Sequence, residues 1–137
     1  MSEPVHPVRA LQEALRSHLV AQPALVAILG QAVYETPARG AKPPFIAFGD
    51  AIVRDAGSAA REAVTVEFDL VVHAAERSTH SALDILSGVE VALRLPMPEP
   101  AGHHLVSIET RQGHVRHDAT RNLTRAGLRL RAFLEPL

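Results

Sequence analysis

The sequence has no cysteine. Disulfides, zinc–thiolate sites and thiol catalysis are therefore excluded. It has no tryptophan and one tyrosine, so aromatic platforms for stacking single-stranded nucleic acid are poorly supplied. Neither sign of charge is in excess: 14 basic and 15 acidic residues leave a formal net charge of −1. A protein built to grip nucleic acid carries a clear basic surplus, so only a local basic patch is open to this chain. Long apolar runs are also missing. The longest, 24–29, is far short of the ~20 residues that span a bilayer. The opening MSEPVHPV lacks the basic and apolar regions of a secretory signal. No low-complexity tract or internal repeat appears, and the glycines stand singly, so no phosphate-cradling loop is present.

What is present suits one domain of 137 residues. A chain of this size buries roughly two-thirds of its unfolded surface and needs no metal or disulfide to fold. Pro7 fits the first position of a helix, where its missing donor is harmless. Val8, Leu11, Leu15, His18 and Leu19 then recur at helical spacing, predicting a helix over 7–20. Pro23 restarts a short helix to Leu29, which Gly30 stops in a left-handed conformation. Val33 and Tyr34 form a short strand. Residues 36–44, with Pro37, Gly40, Pro43 and Pro44, make an extended loop.

A strand over 45–53 places Ile46, Phe48 and Ile52 on one side, and 54–62 reads as a hairpin loop. The strand 63–73 has the clearest alternation: Val64, Val66, Phe68, Leu70 and Val72 face inward. Thr65, Glu67, Asp69 and His73 face out, which makes a sheet with one buried face. Ser78 or Thr79 caps a helix over 79–95 with Ala82, Ile85, Leu86, Val89 and Leu93 as its apolar stripe. Pro96, Pro98, Pro100 and Gly102 end it. A strand over 104–111 turns Val106 and Ile108 inward, 112–122 reads as a polar hairpin tip, and a last strand runs over 123–134. Its Ala126, Leu128, Leu130, Ala132 and Leu134 face the core, opposite Arg125, Arg129 and Arg131. The expected fold is α+β: an antiparallel sheet of four to five strands with helices on one face, in the order α-α-β-β-β-α-β-β.

Candidate chemistry is sparse. Eight histidines raise a metal site, with the pairs His103/His104 and His114/His117 and with Glu109 or Asp118 as a third ligand. Such a site needs three groups converging on one point, and the plainer reading is polar residues at strand ends. Ser58, Ser78, Ser81, Ser87 and Ser107 have no partner base in the pattern. Glu67 and Asp69 share a face because of strand alternation, not because of a catalytic dyad. No catalytic residue, metal ligand or cofactor site is assigned. Two features remain. Glu67, Asp69, Arg125, Arg129 and Arg131 share the polar sheet face, either as internal ion pairs or as a surface for a neighbour. Arg54, Asp55, Arg61, Arg116, His117 and Arg121 stand on the two polar hairpins, suited to axial contacts.

The run PALVAILGQAVYETPARGAKPPFIAFGD resembles the signature of the siphophage tail-completion, or tail terminator, family. The shared elements are the short helix from Leu25 to Gly30, Val33-Tyr34, Pro37, Gly40, Pro43-Pro44 and Phe45. The C-terminal half is similar too, from Gly102-His103-His104 into a strand and from Arg116–Asp118 into a strand carrying Gly127 and Arg131. The likeness spans about residues 8–135. Gln31 departs from a second glycine and Phe45 from a tyrosine. The resemblance implies a non-enzymatic virion protein in the tail of a phage or a phage-like gene transfer agent, assembled in the bacterial cytoplasm. It implies a ring of like subunits, hexameric in that family, capping the head-proximal end of the tail tube. The implied partners are further copies of the chain, the major tail tube protein and the head connector or stopper, with DNA only in transit and no membrane. A small ferredoxin-like ligand-binding module is the alternative, which would present a pocket and run as a monomer or dimer. A metal hydrolase would retain metal on purification.

Overall fold

The computed structural model describes residues 6–37, 39–75 and 80–137. Helix α1 (Pro7–Val20) begins at Pro7, with the His6 Nδ1 accepting the Val8 N–H at 3.1 Å. Its Leu11, Leu15 and Leu19 are fully buried. His18 lies on the same stripe, and its Nε2 is 2.7 Å from the Ala92 carbonyl on the third helix. A buried ring nitrogen needs such a partner. Helix α2 (Pro23–Leu29) ends at Gly30, whose φ of 60° is positive as expected. Its ψ of −124° is not left-handed helical, so the stop is not the left-handed one expected. The Arg16 guanidinium, donating to the Val33 carbonyl at 2.9 Å and the Gln31 carbonyl at 3.2 Å, pins the connection that follows.

Strand β1 (Val33–Tyr34) pairs parallel to β2 (Phe45–Asp55). Every other pairing is antiparallel: β2 with β3 (Val64–Ala74), β3 with β5 (Leu123–Pro136), and β4 (His103–Asp118) with β5. The sheet order is β1-β2-β3-β5-β4. The parallel pairing means that between Tyr34 and Phe45 the chain returns to the same end of the sheet. Helix α3 (His80–Leu93) crosses β3 and β5, while α1 lies over β1 and β2. All three helices sit on one face. The expected element order holds, and it is not the βαββαβ order of a ferredoxin-like module.

The inward residues of β3 meet those of β5 in register: Val66 opposite Ala132, Phe68 opposite Leu130, Leu70 opposite Leu128 and Val72 opposite Ala126. These are 0–1% exposed. Phe68 meets Phe48 edge-on at 6.0 Å, an arrangement aromatic rings favour. Burying a side chain of this size stabilises by about 1.5–3 kcal/mol.

Several local expectations are corrected. A bulge between Phe48 and Ala51 shifts the β2 register by one residue. Ile52 therefore faces outward beside Glu67 and is 43% exposed, no longer on the side of Ile46 and Phe48 where the alternation placed it. Arg54 and Asp55 belong to β2, and the turn to β3 begins after them. The strand predicted over 104–111 and the tip over 112–122 are one 16-residue strand with a turn over 119–122. Arg116 and His117 thus stand on a strand, not on a loop. Val106 is the extra residue of a second bulge and is 48% exposed rather than inward. The proposed caps Ser78 and Thr79 lie outside the described residues.

Candidate functional site

The helix-free face of the sheet and its two ends carry the sequence-predicted residues. The 56–63 turn and the 119–122 turn lie at opposite ends, because Val64 pairs with Leu134 while Ala74 pairs with Thr124. Asp55 Oδ1 accepts the Gly57 N–H at 2.9 Å. Arg61 reaches both carboxylate oxygens of Glu135, at 2.6 and 2.7 Å. A single guanidinium nitrogen, Nη2, makes both contacts, so Arg61 ties the 56–63 turn to β5. It borders a cleft of about 610 Å³ that also includes Pro7, Ser58 and His103. At the other end, Asp118 Oδ1 accepts the Thr120 and Arg121 N–H groups at 3.1 and 3.3 Å. This closes the tight turn. The Arg121 guanidinium lies 3.9 Å from the same carboxylate, and His117 Nδ1 is 3.1 Å from the Thr124 hydroxyl.

The sheet face divides in two. In one half, Arg129 Nη1 meets Asp69 Oδ1 at 3.1 Å and Nη2 lies 3.8 Å from Glu67 Oε2. Arg131, opposite Glu67 on one side and Glu109 on the other, makes no ion pair among the described residues. With Arg54, Ile52 and Thr65 it rims a recess of about 210 Å³. Both sequence readings of this face are thus represented: Arg129 is an internal ion pair, while Arg131 and Arg54 are exposed cations.

In the other half, Arg125 stands between His73 on β3 and Arg116 on β4. Its Nε is buried and has no hydrogen-bond partner among the described residues. The His73 ring stacks on Phe45 at 4.5 Å. Burial first, and the Arg125 charge second, hold its pKa below the ordinary value of 6.5. The His114 ring covers Gly127: a Cβ there would lie 2.6 Å from His114 Nε2. Sequence reasoning placed Arg116 and Arg125 on different features and missed His73 and His114 as their neighbours. Only the β3–β5–β4 register brings the four together. The histidine pairs weighed as metal ligands are separated: His103 and His104 stand at one end of β4, His114 and His117 at the other.

Three comparisons bear on identity. The profile of the family Tail completion protein gp17 matches residues 13–135. Among solved structures, the chain is similar to one from "Virion of native gene transfer agent (GTA) particle". That match has 24% identity and a TM-score of 0.80, covering 93% of this chain and 96% of the other; at that identity it speaks to the fold. No curated protein matches the chain. The family match spans nearly the whole domain and agrees with the helix-backed sheet, so the chain belongs to the tail completion protein gp17 family and is a structural protein of phage-type tails.

Proposed function

We propose that this chain is a tail terminator, which closes the head-proximal end of a tail tube in a phage or a phage-like gene transfer agent. Copies of the chain form a ring, of six in our reading, that stops tube growth and offers a surface to the head connector or stopper. DNA passes through the lumen without being held. The chain works through complementary surfaces and catalyses no reaction.

The observation that carries this reading is family membership across residues 13–135. The geometry supports it. A closed ring needs two different, mutually complementary side surfaces on each subunit. The long outer strand β4 and the outer half of β2 are both open sheet edges with different side chains. A ring between tube and connector also needs two axial ends, and the 56–63 and 119–122 turns supply one at each end of the sheet. Arg54, Asp55, Arg61, Arg116, His117 and Arg121 are our candidates for axial contacts. Glu67, Asp69, Arg125, Arg129 and Arg131 are our candidates for contacts between copies or along the lumen. A net charge of −1 suits a conduit, because a strongly cationic wall would hold DNA instead of passing it.

The test is to add the purified protein to polymerising tube subunits and image the tube ends. Short tubes with a cap on one end are expected. Unlimited tube growth at saturating protein would refute the reading.

A further inference from the structure

The half of the sheet face around Arg125 has an unbalanced charge. Arg125 and Arg116 are directly opposite in the β4–β5 register, and like charges facing across strands repel. No carboxylate lies within ion-pair distance of either guanidinium among the described residues; Asp118 lines an adjoining recess with both arginines, but its Oδ1 bonds to the 119–122 turn and its Oδ2 lies 3.9 Å from Arg121. With Val71, His73 and His114, the two arginines line a recess of about 310 Å³. The buried Arg125 Nε lacks a hydrogen-bond acceptor, and a charged group taken from water without a partner is costly. One small anion placed between the guanidinium groups would relieve the repulsion.

We propose that this recess is an anion seat and that a side-chain carboxylate of a second copy of the chain fills it when copies assemble. The proposal rests on the ring reading above and moves Arg116 from the axial contacts to a contact between copies. Charge complementarity favours a protein carboxylate over a DNA phosphate. Nucleic acid is held by an unbroken track of several cations, whereas here Glu67 and Asp69, paired with Arg129, interrupt the arginines of the same face. The chain also carries the complement: Glu35, Asp50, Glu62 and Asp84 are exposed and make no ion pair among the described residues. A heterologous contact joins two such different patches of one chain.

Two measurements test this. First, the unfolding midpoint is followed in inorganic phosphate against chloride at matched ionic strength. A ligand that binds only the folded chain raises the midpoint by about 5 °C at ten times its Kd for a domain this size. The rise is expected in the native chain and is lost in Arg116→Gln, an exposed position whose change leaves the fold intact. A rise that persists in Arg116→Gln, or no rise at all, overturns the seat. Second, Lys42 is the only lysine of the chain, so the double variant Lys42→Arg, Arg116→Lys carries one lysine side chain, at the seat. Carbodiimide treatment of rings on tube ends is expected to join position 116 to Glu35, Asp50, Glu62 or Asp84 of another copy. Links only to tube protein, no links in rings that do form, or phosphate-competitive binding of duplex DNA that Arg116→Gln abolishes, would overturn the second-copy occupant. Absence of rings in the images is the separate failure of the terminator reading.

Discussion

Replacing Arg129 by alanine separates an internal ion pair from an assembly surface. Arg129 bridges Asp69 at 3.1 Å and Glu67 at 3.8 Å. The three side chains are about one-third exposed, at 30, 32 and 29%, so solvent screens the attraction but does not erase it. Cross-strand opposite-charge pairs contribute roughly 0.2–1 kcal/mol each. Loss of the arginine also leaves two carboxylates, two residues apart on one strand face, without the cation between them. Arg131, opposite Glu67, can compensate for Glu67 but not for Asp69. Arg129→Ala is therefore expected to cost about 1–2 kcal/mol, or roughly 3–7 °C in midpoint for a domain of this size. Arg131→Ala, which breaks no ion pair within the described chain, should stay within ~0.5 kcal/mol. Urea unfolding of both variants, with Asp69→Asn and the double variant Arg129→Ala, Asp69→Asn, gives the coupling directly. A coupling below about 0.3 kcal/mol, or equal costs at positions 129 and 131, would refute the argument, since that is the scatter expected of independent sites.

Other expectations follow from particular residues. Gly30→Ala forces a side chain into φ 60°, ψ −124° and should cost about 1–3 kcal/mol in chemical denaturation. Phe68→Ala empties the centre of the core and should cost about 3–5 kcal/mol, enough to leave much of the chain unfolded at 37 °C. His73 carries a pH dependence. Its folded pKa is lowered by burial and by Arg125, so the unfolded chain takes up a proton first as pH falls. Stability contributed by the neutral ring is present above pH 6.5 and is lost as pH falls from there through the lower folded pKa. Phe45, Val71, Arg125, His114 and Arg116 surround or border that ring, and none is an acid that would reverse the sign. His73→Gln should flatten the native chain's slope of midpoint against pH as pH falls below about 6.5.

Much of the fold was legible because burial leaves a periodic trace. The strand from Val64 to Ala74 and the last strand each have one face against the helices, so their alternation fixed both the strands and their inward sides. The Leu11–Leu15–Leu19 stripe fixed the first helix in the same way. Strand β4 left no such trace. It is an edge strand, its residues beyond Ile108 face solvent or the bare sheet surface, and its polar stretch 112–118 reads like a loop. The bulges at Phe48/Ala51 and at Val106 were invisible for a related reason: a bulge is a property of two paired strands, and the sequence shows one at a time. Those slips moved Ile52 and Val106 to the wrong side. The grouping of His73, His114, Arg116 and Arg125 likewise exists only in the pairing of three strands, so the residues were visible but their meeting was not. The ion pair of Arg129 with Asp69 was within reach, since both lay on outward faces of strands with clear alternation.

The claim that bears most weight is placement: copies of this chain, in a closed ring, between tube and connector. Image reconstruction of intact tails from particles that carry the chain tests it most directly. The account predicts a ring of this helix-backed fold at the head-proximal end of the tube, with the 56–63 and 119–122 turns facing opposite axial directions. A tube whose head-proximal end is closed by another polypeptide, or this chain found at the distal tip, would contradict it.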